Sequence, residues 1–378
     1  MVSCALRGLY HAKRGVNGAD RGISTGGAQG RAGLPGGGRA MGVTRRPLPG
    51  GAEAIRLALP SGASATVLSI GATLHRIETP DRHGHLANIL LSHDDPAAHL
   101  TGRSLLGASI GRYANRIAKA RFVLEGRTVL LDANDGANTL HGGADGFDRR
   151  IWTVLEVQEH PLSLTLGLHS PDGDQGFPGA LDATARFDLS EDAQGITLSL
   201  RYGAVCDQPC PVSLTSHGYF NLAGGGSVLD HRLSIAAGHY LPIRADGIPD
   251  GPPRPVSGTP FDFRVAKPVG QDIAAAGLAA QGGYDHNFCP DPADGTPRPV
   301  ARLSDPGSGR AMTVISDQPG LQLYTANRPP LPGLQAHCAL CLEPQAWPDA
   351  PNRADFPGTV LHPGARYRHR LALRFTAG

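Results

Sequence analysis

A chain of 378 residues carrying 51 glycines, 32 prolines and 18% charged residues is long enough for one large domain or two ordinary ones. Its formal charge is +2, with Lys/Arg and Asp/Glu interleaved and no apolar run of about 18 residues, which excludes a concentrated basic footprint for nucleic acid and a helical membrane span. Glycine and proline punctuate the whole chain, and few windows hold a helical period without a breaker. This predicts an all-β fold.

Residues 1–45 are expected to be a disordered, low-complexity N-terminal extension. Residues 1–40 alone hold 11 glycines and six Lys/Arg against one acid, with no apolar pattern to build a core and no apolar stretch of the kind a secretory signal needs. Met41 is an alternative start, because patterned sequence begins soon after it. Residues 46–378 are expected to form one β-sandwich domain, since no linker divides them and no repeat is visible.

In chain order, GASIG (107–111) matches the nucleophile elbow of serine hydrolases at Ser109, but the strand–turn–helix setting that motif requires is missing. IGRYANRIAKARF (110–122) sets Asn115 and Arg116 among small and apolar residues. Together they offer the donors and acceptors that hold several hydroxyls, or else an ordinary salt-bridged strand. NTLHGG (138–143) puts His141 before two glycines that admit close approach, although a lone histidine is commonly structural.

LSLTLGL (162–168) and ITLSLRY (196–202) alternate with period two and predict half-buried antiparallel strands. VSLTSHGYFNLAGGG (212–226) embeds His217 and Tyr219 in core-like sequence. QDIAAAGLAA (271–280) is a short helical candidate, and SPDGDQGFPG, DGIPDGPPRP and PDPADGTPRP read as long surface loops. GGYDHNF (282–288) carries Asp285, which alone reads equally as a turn-capping acid. GLQLYTAN (320–327) alternates Leu321 and Leu323 against Gln322 and Tyr324.

CALCLEPQAWPDAPN (338–352) places Glu343 between an apolar run and a turn, so Glu343 and His217 supply a carboxylate and an imidazole in partly desolvated walls. The final strand, RYRHRLALRF (366–375), sends Tyr367, His369, Leu371, Leu373 and Phe375 to one face and four arginines to the other. The six cysteines, Cys338 and Cys341 of a CxxC spacing among them, are too scattered for a disulfide scaffold and lack partners for a zinc site. They are read as structural thiols of a cytoplasmic protein.

Taken together and in order, these runs resemble the galactose mutarotases (aldose 1-epimerases) over about residues 50–376. The motifs that carry the likeness are GRYANRIAKARF, NTLHGGADGFDRRIW, SLTSHGYFNLAG, HYLPIRADGIPDG with PFDFR, GGYDHNF, GLQLYTAN, and CLEPQAWPDAPN with FPGTVLHPGARYRH.

The resemblance implies a large antiparallel supersandwich with a sugar cleft, acting on hexoses such as D-galactose and D-glucose. It implies Glu343 as general base and His217 as general acid, with Asn115, Arg116, His141, Tyr219, Asp285 and Gln322 holding the sugar. Departures from the family pattern are Ser216 and Gly218 around the acid, Pro344 after the base, and Trp347.

No cofactor and no metal is expected. The expected partner is a small aldose, with neither nucleic acid nor membrane, for a monomer or homodimer. A sugar-binding protein on the same sandwich and a phosphohexose relative, which requires a basic cluster for its phosphate, are the competing readings.

Overall fold

The structure is a computed structural model that describes residues 41–292 and 294–378. Three antiparallel sheets dominate it, one of nine strands, one of six and one of five. The described residues pack as one unit. Residues 1–40 of the expected N-terminal extension lie outside the described residues. Residues 42–45, also assigned to that extension, belong instead to the strand Gly42–Pro47, which pairs along its whole length with Glu53–Ala58.

The period-two segments become strands. LSLTLGL lies in Leu162–Ser170, ITLSLRY in Gly195–Cys206 and the C-terminal arginine run in Tyr367–Ala377, all in the nine-stranded sheet, where the last two are neighbours. Their inward residues, among them Leu164, Leu198, Leu200, Leu371 and Leu373, form one core with Ile55 and Leu57 of the five-stranded sheet and Leu321, Leu323, Leu340 and Leu342 of the six-stranded sheet. His369, on the same inward face, keeps its ring satisfied through Nδ1 on the Leu214 carbonyl at 2.8 Å.

The helical candidate at 271–280 is not an α-helix. It forms turns around a single 3-10 turn, Ala276–Leu278. Ten residues are too few to repay helix nucleation, and Gly277 weakens the run further. The segment is held instead by Leu278, whose side chain is buried in the main core.

The GRYANR segment divides its work between core and cleft. Arg112 points inward and spends its guanidinium on the loop SPDGDQGFPG, donating to Ser170 Oγ at 2.9 Å and to the carbonyls of Ser170 (2.9 Å), Pro171 (2.7 Å), Pro178 (3.0 Å) and Gly179 (2.7 Å). Tyr113 donates to the Trp347 carbonyl at 2.9 Å, and Asp349 accepts from the Ala118 amide at 2.9 Å. These contacts stitch the segment to the loop that follows Glu343. Among the described residues, no helix is long and apolar enough to cross a membrane.

Leu342 is buried in the main core on the strand that carries Glu343. Leu342→Ala is expected to cost about 2–5 kcal/mol by leaving a cavity. The measurement is the urea midpoint, and an unchanged midpoint would show that this face of the strand is not packed.

Candidate active site

The site begins with strand alternation in the six-stranded sheet. On Gly320–Tyr324, Leu321 and Leu323 enter the core while Gln322 and Tyr324 face the opposite side; on Leu340–Gln345, Leu340 and Leu342 enter the core while Cys341 and Glu343 face the opposite side. Antiparallel register then sets these residues in rows. Tyr219, Cys341, Tyr324 and Asp285 are successive cross-strand neighbours, and Glu343 lies directly opposite Gln322. Gln322 donates from Nε2 to Asp285 Oδ1 at 2.7 Å.

His217 reaches this face from the chain just before Tyr219. Its backbone is clamped at both ends, its amide donating to Ala108 O and its carbonyl accepting from the Gly107 amide, each at 2.9 Å. The imidazole stacks on Tyr219 with centroids 5.0 Å apart and meets His141 edge-on at 5.2 Å. Nε2 lies 3.7 Å from Glu343 Oε2, and Nδ1 lies 3.5 Å from Cys341 Sγ.

The facing wall comes from the strands Arg116–Ile117 and Thr139–Leu140, which pair with each other. Each is flanked by a residue in the left-handed region, Asn115 at φ 64° and His141 at φ 53°. That conformation is uncommon for residues with a side chain, although Asn and His tolerate it better than most. Here it is held by two bonds, since His141 N–H donates to Asn115 O at 3.0 Å and Asn115 N–H donates to His141 Nδ1 at 3.1 Å. Nδ1 is therefore an acceptor, and the neutral His141 ring carries its proton on Nε2.

Two glycines are required here. A Cβ on Gly142 would fall 1.9 Å from the Gly111 carbonyl oxygen, and one on Gly247 would fall 2.7 Å from Arg116 Cζ. Arg116 is thus pressed flat under Gly247, with Nε on Asp135 at 2.8 Å and Nη1 3.9 Å from Asp285.

Together the walls enclose a cavity of about 330 Å³ lined by every residue that the family resemblance points to. Tyr324, Asn327, Arg328, Asp246 and Gln281 also line it and were not singled out from sequence. For Tyr324 the signal was present, because alternation in GLQLYTAN puts it on the face of Gln322. Nothing local marked the others. Arg103 was missed as well; it holds Asp148 at 2.8 Å and the Gly143 carbonyl at 2.8 Å, bracing the glycines behind His141.

Burial dominates the electrostatics. It pushes His217 down to about 4, with the Arg103 guanidinium acting in the same direction, and pushes Glu343 well above the ordinary carboxylate range, helped by the nearby charge of Asp285. His141 is driven well below its usual value by burial first and then by His217 and Arg103. Asp285 is raised by burial, against the pull of Arg116 and Gln322. Glu343 Oε2 and Gln322 Oε1 are buried without hydrogen-bond partners, so two acceptors stand ready for hydroxyl donors.

His217, Cys341 and Glu343 place potential ligand atoms within 4.8 Å of one another. The imidazole, however, turns opposite nitrogens to its two neighbours, Nδ1 to the sulfur and Nε2 toward the carboxylate.

Ser109 of the GASIG match is buried, with Oγ donating to the Ala72 carbonyl at 3.0 Å and meeting Tyr202 Oη at 2.9 Å, in a short strand rather than on an exposed elbow. Of the departures from the family pattern, Trp347 packs edge-on against Phe356 at 4.9 Å and Pro344 pairs with the core residue Leu321, so neither enters the cavity lining.

The aldose 1-epimerase family model matches residues 53–374. Galactose mutarotase of Bos taurus is 38% identical over 323 residues, covering 82% of this chain and 90% of its own. Aldose 1-epimerase of Escherichia coli K12 is 37% identical over 327 residues, covering 84% and 93%. The crystal structure of galactose 1-epimerase from Lactobacillus acidophilus superposes with a TM-score of 0.78 at 27% identity, over 89% of this chain and 98% of that one. By sequence over nearly its whole described length and by fold, the chain belongs to the aldose 1-epimerase family.

Proposed function

We propose that Glu343 and His217 carry the proton transfers by which this carbohydrate isomerase interconverts the α and β anomers of an aldose. The observation that carries the reading is the unpartnered Glu343 Oε2, buried at the cavity wall 3.7 Å from His217 Nε2. An acid and a base at one cavity wall are what hemiacetal opening requires.

Glu343 takes the proton of the C1 hydroxyl, the O1 lone pair forms the carbonyl, the bond from C1 to the ring oxygen breaks, and His217 protonates that oxygen. Rotation about C1–C2 turns the other face of the aldehyde to the ring oxygen. Closure then runs with the roles exchanged, His217 recovering its proton and Glu343 returning one to O1. The Nε2 proton of His141 supports charge developing on oxygen, while Gln322, Asp285, Asn115 and Arg116 hold the remaining hydroxyls so that only the C1 end turns.

Burial favours the neutral forms of both groups, so the resting pair holds a single proton between them. The ionised arrangement is reached when the sugar hydroxyls satisfy Oε2.

Charge balance favours a neutral sugar over a phosphorylated one. Asp135, Asp246, Asp285 and Glu343 line the cavity against Arg116 and Arg328, and Arg116 is already held by Asp135. Arg149 and Arg150 pair with Asp145, and Arg150 also with Asp174, none of them cavity-lining residues. Free hexoses such as D-galactose and D-glucose are the proposed substrates. A monomer or a homodimer is the proposed assembly. The described cysteines are free thiols, which fits a cytoplasmic setting.

Glu343→Gln keeps the shape of the wall and removes the base. Polarimetry of freshly dissolved α-D-galactose and α-D-glucose, corrected for spontaneous mutarotation, is expected to show turnover lowered by about 10²–10⁴-fold. A variant that keeps more than about a tenth of wild-type turnover would remove Glu343 from the chemistry.

A second expectation concerns pH. His217 is depressed to about 4, so the pair gains its second proton only below that pH; Glu343 is raised, so the remaining proton is lost only well above the ordinary carboxylate range. Between the two limits the pair holds one proton, and kcat/KM is expected to form a bell bounded by them. In Glu343→Gln the alkaline limb should vanish from any residual activity, and a limb that stays in place would assign it to another group.

A further inference from the structure

We propose that Arg103 is a positioning residue for His141, its guanidinium closing the loop 141–148 and so holding the imidazole where its Nε2 proton meets the sugar. The proposal rests on the role given to His141 above. Four donations carry it. Nε and Nη2 grip the Asp148 carboxylate at 2.8 and 3.0 Å, Nη1 donates to the Gly143 carbonyl at 2.8 Å, and Nη2 reaches the His141 carbonyl at 3.4 Å. One side chain thus joins both ends of the loop.

The loop needs such a tie because its start leaves regular pairing. His141, Gly142 and Gly143 follow the strand Thr139–Leu140 at φ 53°, 80° and 102°, a reversal that carries their carbonyls out of the ladder with Arg116–Ile117. At the far end the chain folds back on that reversal. A Cβ on Gly146 would fall 2.6 Å from the His141 carbonyl oxygen and 2.7 Å from Asp148 Oδ1. The acceptors that Arg103 uses therefore converge from both ends of the loop.

A planar fork suits that convergence. It takes the carboxylate with two parallel bonds and keeps further donors for carbonyls that lie in other directions. A lysine would bring the charge on one nitrogen and could not span all three groups. The Asp148 side chain is 3% exposed and that of Arg103 22%, so water competes little for either end of the pair.

The Asn115 amide, donating to Nδ1 at 3.1 Å, fixes which nitrogen of His141 carries the proton. Arg103 fixes how far the His141 backbone can withdraw from that amide. Its charge adds to burial and to His217 in keeping the ring neutral. Leu105, two residues after Arg103, lines the same cavity as His141, whereas Arg103 itself is not a lining residue. It exchanges no proton, and its effect passes through His141.

The test compares two variants of the full chain. Arg103→Met combined with Asp148→Asn removes both charges and leaves no unpaired carboxylate inside, while Arg103→Lys keeps a cation for Asp148 without the reach to both carbonyls. With ¹⁵N-histidine labelling, and His141 assigned by its absence in His141→Asn, sugar-free wild type is expected to show one neutral His141 form, Nε2–H with Nδ1 as a hydrogen-bonded acceptor. Both variants should show mixed His141 tautomers. His217, whose backbone is clamped at Ala108 and Gly107, should keep its wild-type tautomer.

In polarimetry of α-D-galactose the double variant should lose about tenfold in kcat, the value of one hydrogen bond to an oxygen gaining charge, with KM moving less than about twofold. Arg103→Lys should lie nearer wild type in urea midpoint yet regain little of that kcat. Full kcat in either variant overturns the proposal, as does an unchanged His141 tautomer or a change shared equally by His217. Should the double variant fail to fold, the lysine variant decides by the same two readouts. Wild type that fails to accelerate mutarotation at all would instead bring down the function reading itself, an outcome separate from any change in the His141 ring.

Discussion

The site depends on one constraint, the period of two that governs side chains along a strand. In the six-stranded sheet this period sends Leu321, Leu323, Leu340 and Leu342 to one side and Gln322, Tyr324, Cys341 and Glu343 to the other. A slip of one residue would bury a carboxylate in the leucine core and expose the leucines to the cleft, at a cost no neighbouring contact could offset. Because the same strands build the core and the cleft wall, the register that makes the protein stable is also the register that places Glu343 opposite Gln322.

The second wall is made differently. Around Asn115 and His141 the chain abandons regular strand geometry, and two left-handed residues hold each other through reciprocal bonds between the Asn115 amide and carbonyl on one side and His141 on the other. Glycine at 142 lets the turn sit against the Gly111 carbonyl, and Gly247 presses on Arg116. The rigid sheet therefore holds the carboxylate, and a strained, hydrogen-bonded loop pair brings donors to it. Desolvation between the two walls moves His217 down and Glu343 up, so burial favours the neutral form of each.

Much of this was legible in the residues. The all-β class followed from breakers and alternation, and Leu162–Ser170, Gly195–Cys206 and Tyr367–Ala377 appear where alternation predicted them. The helical candidate at 271–280 misled because alanine content speaks for helix while the run is too short to nucleate one. Cys341 was read as an inert structural thiol. The same alternation that singles out Glu343 puts Cys341 on its face of the strand, but only the fold brings His217 to its sulfur. Arg103 and Arg328 carried no local mark, since an arginine in a polar loop looks the same whether it faces solvent or a cavity.

By itself, then, the sequence determined the class of fold, the strands and their faces, and the residue types able to hold and open a sugar ring. These are local properties, set by periodicity, turn chemistry and the reach of each side chain. Tertiary structure alone decided which nitrogen of His217 meets sulfur and which meets carboxylate, which tautomer the Asn115 amide imposes on His141, and which way burial moves His217 and Glu343. Those depend on distances between segments 26 residues apart at Asn115 and His141 and more than a hundred apart at His217, Cys341 and Glu343, and on the water their packing excludes, and no local pattern encodes either.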